Sequence, residues 1–238
     1  MKIVKLITAL GLLAFSLVPA FAQEAVIRKN LSEKFPAFAK IDEVSKTPIN
    51  GLYEVRVGFN IFYTDEQGNY LLEGQLMDVR ARKNLTEERI GKLSAVDFDK
   101  LPLKDAFKIV RGDGKRKLAV FEDPNCGYCK QFERELTNID NVTVYLFLFP
   151  VLGPDSLAKS RNIWCAKDKP KAWNDWMLRN TAPAAAECDI SAIKRNREFG
   201  QKYNITGTPT LIFADGSRAP GAVSAQEVEK MLLSAKTP

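Results

Sequence analysis

In the stretch LAVFEDPNCGYCKQFEREL, residues 118–136, two cysteines stand two residues apart between an apolar run and a segment with helical spacing. No other feature limits the fold as much, because such a pair serves as half a metal site, as a small staple or as a redox couple, each in a different setting. Zinc needs four ligands, usually two close pairs or histidine. The chain has no histidine, and its other cysteines, Cys165 and Cys188, lie far apart in sequence. No metal and no cofactor are therefore expected. A permanent staple is disfavoured because so tight a ring is labile. A redox couple fits the placement. A cysteine at the first turn of a helix faces unpaired amide N–H groups and the positive end of the helix dipole, and both favour thiolate over thiol. Cys126 is thus the expected nucleophile and Cys129, one turn further in, the resolving thiol. Glu122 and Asp123 oppose the effect if their charges come close, and Lys130 assists it.

Cys165 and Cys188 carry no activating signature. They flank a segment holding Trp173 and Trp176. They are read as bonded to each other, stapling a helical insertion, a closure worth ~3 kcal/mol by loop entropy.

The chain begins with Lys2 and Lys5, continues through the mainly apolar Leu6 to Phe21 and reaches the small-x-small sequence Ala20-Phe21-Ala22. That order reads as a secretory signal peptide over residues 1–22. The run is too short, and too interrupted by Thr8 and Ser16, for a spanning helix. Export makes disulfides possible. Without the leader, 33 Lys and Arg face 29 Asp and Glu, too small a balance to imply a polyanionic partner. The basic clusters at 80–83, 111–117 and 194–197 lack interleaved aromatic platforms, so no nucleic acid is expected.

The 216 residues left after the leader exceed the usual size of one domain, so two are expected. From Glu24 to Phe38, Val26, Ile27, Leu31 and Phe35 recur at helical spacing until Pro36. Val44, Leu52–Val57, Asn60–Tyr63 and Tyr70–Met77 then read as strands of an antiparallel sheet, with Asp65–Asn69 as a hairpin turn. Residues 23–82 form this α+β domain, and the charged residues 83–104 read as a linker helix. Residues 105–238 form an α/β domain in which Leu118–Phe121 and Val142–Phe149 are parallel strands joined by a helix from Cys126 to Leu136. In the second strand Tyr145, Phe147 and Phe149 face one way and Val144, Leu146 and Leu148 the other, as in a strand covered on both sides. Helices fill about 155–203, Thr210–Ala214 is a strand ending at a turn, and 225–233 is a terminal helix.

Strand, Cys126-Gly127-Tyr128-Cys129, helix, and Thr206-Gly207-Thr208-Pro209-Thr210 ahead of a strand resemble a thioredoxin fold. The resemblance implies that Pro209 is cis and adjoins the redox pair. With the leader, the N-terminal segments Gly51–Val55 and Gly74–Val79, the linker and the second cysteine pair, nearly the whole chain resembles the DsbC/DsbG family of periplasmic thiol:disulfide interchange proteins, its disulfide-isomerase branch above all. That resemblance implies catalysis by Cys126 and Cys129 and substrate contacts at Gly127, Tyr128, Thr208 and Pro209. It also implies a cystatin-like N-terminal dimerisation domain, a homodimer, misfolded disulfide-containing secreted proteins as substrates, and a DsbD-like membrane thiol reductase as electron donor. One departure from thioredoxin concerns the position six before the first cysteine, often acidic there and Val120 here. It leaves the dithiol without an assured buried carboxylate, and neither Glu122 nor Asp123 is assigned that role.

Overall fold

The computed structural model describes residues 18–235, with side chains described from residue 22. The expected leader therefore lies mostly outside the described residues. The chain divides into two compact units, Met1–Ile90 and Gly91–Pro238.

In the first unit, helix α1 (Val18–Lys34) buries Ile27 and Leu31, one turn apart, against an antiparallel sheet. Pro36 ends the helical ladder and opens a 3-10 turn, Pro36–Phe38, that sets the Phe38 ring edge-on to Phe62 at 5.0 Å. The sheet holds β1 (Glu43–Lys46), β2 (Leu52–Val57), β3 (Asn60–Asp65) and β4 (Leu71–Leu72) in sequential order. Alternation along β2 turns Tyr53, Val55 and Val57 toward α1. The hairpin expected at Asp65–Asn69 is present. The Asp65 carboxylate accepts the N–H groups of Gln67, Asn69 and Tyr70, an Asx-type closure.

Two expectations need correction in this part of the chain. Tyr70–Met77 is not one strand: only Leu71–Leu72 joins the sheet, and β5 (Met77–Asp78) pairs with β6 (Lys83–Asn84) in a separate ribbon. Gly74 interrupts the run, and beyond it the Leu76 N–H turns to the Thr86 hydroxyl at 2.8 Å. The helix expected over 83–104 is also shorter, α2 (Leu85–Ser94). It is anchored where Arg89 donates to Glu54 at 2.9 Å and to Glu43 at 2.6 Å. Beyond it Val96, Phe98 and Leu101 are buried in the core of the second unit, and Pro102 forbids a continuing helix, so the chain proceeds in 3-10 turns instead.

The second unit contains β7 (Phe107–Arg111), β8 (Arg116–Glu122), α3 (Gly127–Leu136), β9 (Val142–Leu148), α4 (Pro154–Cys165), α5 (Lys169–Arg179), α6 (Ser191–Lys202), β10 (Thr210–Phe213), β11 (Arg218–Pro220) and α7 (Ala225–Ser234). Its sheet order is β11-β10-β8-β9-β7. Only β8 and β9 run parallel, joined through α3 as a parallel pair requires. β9 is covered on both faces as its sequence indicates. Val144, Leu146 and Leu148 pack toward α3, α5 and α7, while Tyr145, Phe147 and Phe149 pack with Phe121, Phe199 and Tyr203 on the α6 side. Gly200 lets α6 lie against Phe149, since a Cβ there would meet the ring at 2.3 Å. Cys165 and Cys188 are bonded, closing the segment that holds α5. The edge strand β7 was not expected.

Candidate functional site

The site forms where β8 ends and α3 begins. The Asp123 carboxylate, fully buried, accepts the N–H groups of Asn125, Val151 and Leu152 and the Ser156 hydroxyl, all within 2.7–2.9 Å. The Asp123 carbonyl receives the Cys126 N–H at 3.0 Å. This double use of one residue folds Asp-Pro-Asn-Cys into a turn that delivers Cys126 to the N-cap of α3 in an extended conformation, φ −76° and ψ 117°.

There the Cys126 sulfur takes the place of the usual capping oxygen. It accepts the Cys129 N–H at 3.3 Å, and its thiol donates to the Thr208 carbonyl at 3.2 Å. The Thr208–Pro209 bond is cis. The Cys129 side chain, hydrogen-bonded to the Cys126 sulfur, is the main influence on the Cys126 thiol and holds its pKa down from 9.0 to about 5. Partial burial opposes it, and the Thr208 side-chain hydroxyl and the backbone N–H groups of Cys129 and Tyr128 add to it. Burial drives Cys129 the opposite way, far up, reinforced by its role as donor to Cys126 and by Glu122. The two thiols are unbonded and inequivalent: a stabilised thiolate at the helix start, a thiol locked in the interior behind it.

Around Cys126, Gly127 and Tyr128 are exposed, Tyr128 by 69%. Thr208 is half-buried and Pro209 buried, so the sulfur, the exposed dipeptide and the start of β10 share one face of the domain. The exposed apolar Val151 and Leu152 follow β9, on the loop that Asp123 fastens. Cys129 and Thr208 thus meet the Cys126 sulfur, with Gly127, Tyr128 and Pro209 next to them in the chain.

Two electrostatic expectations come out differently. Lys130 does not assist Cys126; its ammonium donates to Asn180 at 2.7 Å and lies 4.0 Å over the Trp176 ring. Asp123 is a scaffold whose carboxylate is filled by four donors. Glu122 is buried, and burial pushes its pKa well up, with Glu133 and Cys126 reinforcing the shift. A buried carboxyl therefore does accompany the dithiol, although Val120 occupies the expected position. Glu133, also fully buried and absent from the sequence reading, lies beside it. It sits on the buried stripe of α3 with Cys129, Phe132 and Leu136. A carboxylate at a core position of an amphipathic helix was the available signal.

A two-cysteine helix start on a thioredoxin-like sheet, with one thiol activated and the other enclosed, defines the class of thiol–disulfide exchange proteins. Residues 103–236 match the thioredoxin-like domain family and residues 18–87 the disulfide bond isomerase protein N-terminal domain family. A probable thiol:disulfide interchange protein DsbC of Bordetella parapertussis is 46% identical over 88% of this chain and 74% of its own length. The thiol:disulfide interchange protein DsbC of Escherichia coli K12 is 28% identical over 93% of this chain and 94% of its own. Among solved structures, a disulfide interchange protein from Neisseria gonorrhoeae superposes with a TM-score of 0.55 at 36% identity, covering 58% of this chain and all of that one. The chain belongs to the DsbC family of thiol:disulfide interchange proteins.

Proposed function

We infer that the protein is a disulfide isomerase of the periplasm, reached by removal of residues 1–22. In it, Cys126 attacks non-native disulfides of secreted proteins and Cys129 resolves the mixed disulfide when reshuffling stalls. The observation that carries this reading is the Cys126 sulfur capping α3 beside exposed Gly127 and Tyr128, with its partner thiol enclosed. Attack by the Cys126 thiolate breaks the substrate S–S bond and forms a Cys126–substrate disulfide, releasing a substrate thiolate. A second substrate thiolate displaces Cys126, which completes isomerisation; displacement by Cys129 completes reduction. The bend at Thr208, whose bond to Pro209 is cis, lies beside the sulfur at the entry to β10, and in this reading an unfolded chain binds there. An isomerase must be kept reduced, so a DsbD-like membrane reductase is the electron source in this reading. Acid quench and alkylation in intact cells will find Cys126 and Cys129 predominantly reduced; a predominantly oxidised pair overturns isomerisation in favour of disulfide donation.

The first unit serves homodimerisation. Tyr70, Leu72, Met77 and Val79 are all at least half exposed on it, Val79 by 82%. The two-residue edge strand β4 has unpaired backbone beyond it, a surface suited to an isologous contact. Sedimentation equilibrium of the mature protein will give twice the chain mass, and Leu72→Glu with Val79→Glu will give the monomer while leaving exchange with a small disulfide intact. A dimer that survives the double substitution rules out this surface.

A further inference from the structure

The turn that delivers Cys126 is held from outside its own strand and helix. Asp123 to Cys126 form a four-residue turn, closed by the Cys126 N–H on the Asp123 carbonyl at 3.0 Å, with Pro124 and Asn125 at its centre. Types I and II both accept proline at the first central position, and they differ by a half-turn of the peptide between the two central residues. Asn125 does not have a positive φ, which excludes type II. Both ends of that central peptide are tied. The Asn125 N–H donates to the Asp123 carboxylate at 2.8 Å, and the Pro124 carbonyl accepts the indole N–H of Trp176 at 2.6 Å. Pro124 is buried and no other donor among the described residues reaches its carbonyl, so without the indole a buried acceptor goes unpaired.

Trp176 belongs to α5, in the segment that Cys165 and Cys188 close, and its ring is held by two further helices. The Lys130 ammonium of α3 lies 4.0 Å from the ring centre and the Lys159 ammonium of α4 4.8 Å from it. Lys159 also pairs with Asp155, and Asp155 accepts the Asn125 side-chain amide at 2.7 Å. The contacts thus run in a ring from Pro124 through Trp176, Lys159 and Asp155 back to Asn125. The titratable groups that bear on Cys126 itself are Cys129 on α3 and Glu122 at the end of β8, while Lys130 and Lys159 turn to Trp176 and four donors fill the Asp123 carboxylate. Removing the indole N–H alters none of these charges, which leaves the geometry of the turn as the variable.

We propose that Trp176 is a positioning residue for the attacking sulfur: its indole N–H locks the Pro124–Asn125 peptide and so sets Cys126 against Cys129. Trp176 touches neither the sulfur nor the substrate and acts through the turn. Without the indole N–H the peptide is tied at one end only, and Asn125 is a residue type that tolerates the positive φ of the flipped form. A flip turns Asn125 and changes the direction from which the chain enters α3. The 3.3 Å contact of the Cys126 sulfur with the Cys129 N–H then opens, and the thiolate loses a hydrogen bond that favours it. The helical insertion between the second pair of cysteines thereby acquires a part in the reaction: it carries the donor that keeps the nucleophile in place.

The inference rests on Cys126 as the nucleophile, and one experiment separates the two. The full-length reduced protein is alkylated with iodoacetamide across the pH range, the rate followed and the adduct located by mass. The wild type is expected to react at Cys126 with a half-maximal rate near pH 5. Trp176→Phe keeps an aromatic ring beside the lysines and removes only the N–H; its half-maximal pH is expected to rise by about one unit, the size of one hydrogen bond to a charged group. Lys130→Met removes the nearer cation from the ring and leaves the indole bond, and it keeps the wild-type midpoint. A packing role alone lowers stability without moving that midpoint. The folded wild type supplies a readout that needs no variant: the Trp176 indole proton is protected from exchange with water. An unmoved midpoint in Trp176→Phe, an equal shift in Lys130→Met, or an indole proton that exchanges as fast as free indole overturns the proposal. Failure of the wild type to be alkylated at Cys126 overturns the nucleophile assignment instead.

Discussion

Replacing Cys126 with serine will abolish disulfide exchange, whereas replacing Cys129 with serine will leave the attacking step intact and cause mixed disulfides to accumulate. The asymmetry follows from where α3 starts. Cys126 is held toward the thiolate chiefly by the Cys129 side chain, aided by backbone N–H groups, and sits beside exposed Gly127 and Tyr128, so its sulfur is both ionised and within reach of a substrate. A serine hydroxyl at the same N-cap accepts the same hydrogen bond but stays protonated, so the fold survives and the nucleophile does not. Cys129 is fully buried and pushed toward the thiol form, and cannot replace it. In Cys129→Ser the mixed disulfide at Cys126 forms but has no internal exit. Isomerisation then persists where a substrate thiol can displace Cys126, and net reduction of a small disulfide stops after one turnover. Rescue of a scrambled multi-disulfide protein, together with masses of acid-quenched adducts, checks both variants. Residual rescue by Cys126→Ser above the uncatalysed rate, or failure of Cys129→Ser to form adducts, contradicts the division of labour.

The parts of this arrangement that depend on local pattern were legible in the sequence. The apolar run before Cys126, the helical spacing after it and the two-faced strand at 142–148 each contain their own signal, and the parallel pairing of β8 with β9 follows from the helix between them. The edge strand β7 was missed although Phe-Lys-Ile-Val-Arg alternates and a Gly-Asp-Gly turn follows, because five residues on a sheet edge carry little pattern. The linker was read as too long a helix because its charge suggested solvent exposure, while Val96, Phe98 and Leu101 are held by the core of the second unit. The electrostatics were the least legible. Asp123 and Glu122 are adjacent acids, yet Glu122 follows the alternation of β8 into the interior while Asp123, one residue past the strand, turns to a ring of donors. Lys130 is one residue from Cys129, yet the helix turns it toward Trp176. Charge in sequence gives a sign; only the backbone assigns the neighbour that feels it.

The rate at which Cys126 reacts with a small alkylating agent will be nearly flat from pH 6 to pH 8 and half-maximal near pH 5, where an ordinary thiol is still climbing tenfold per pH unit. The Cys126 pKa of about 5, down from 9.0, is the reason. At pH 7 that drop raises the thiolate fraction from about 1% to about 99%, a gain of about 100-fold. It also lowers the nucleophilicity of each thiolate by about 60-fold, taking a Brønsted coefficient of ~0.45. The two nearly cancel, so the depressed value does little for attack at neutral pH. Its effect is on departure: a sulfur that is stable as a thiolate leaves a mixed disulfide readily, as an enzyme that must release reshuffled substrate requires. At pH 5 the balance changes, because the ordinary thiol is then ionised to about one part in 10⁴, and Cys126 reacts faster by on the order of 10²-fold. Stability moves with the same group. The folded value lies below the unfolded one, so the contribution to the reduced protein is full above pH 9 and is lost as pH falls toward 5. Cys129 remains a thiol from pH 5 to 8 and adds nothing to that slope. Reduced protein therefore gains stability relative to oxidised protein as pH rises from 5 to 8, measurable by parallel denaturant titrations. A reactivity profile still rising tenfold per unit between pH 6 and 8, or a stability difference independent of pH, shows that the α3 N-cap does not hold a thiolate.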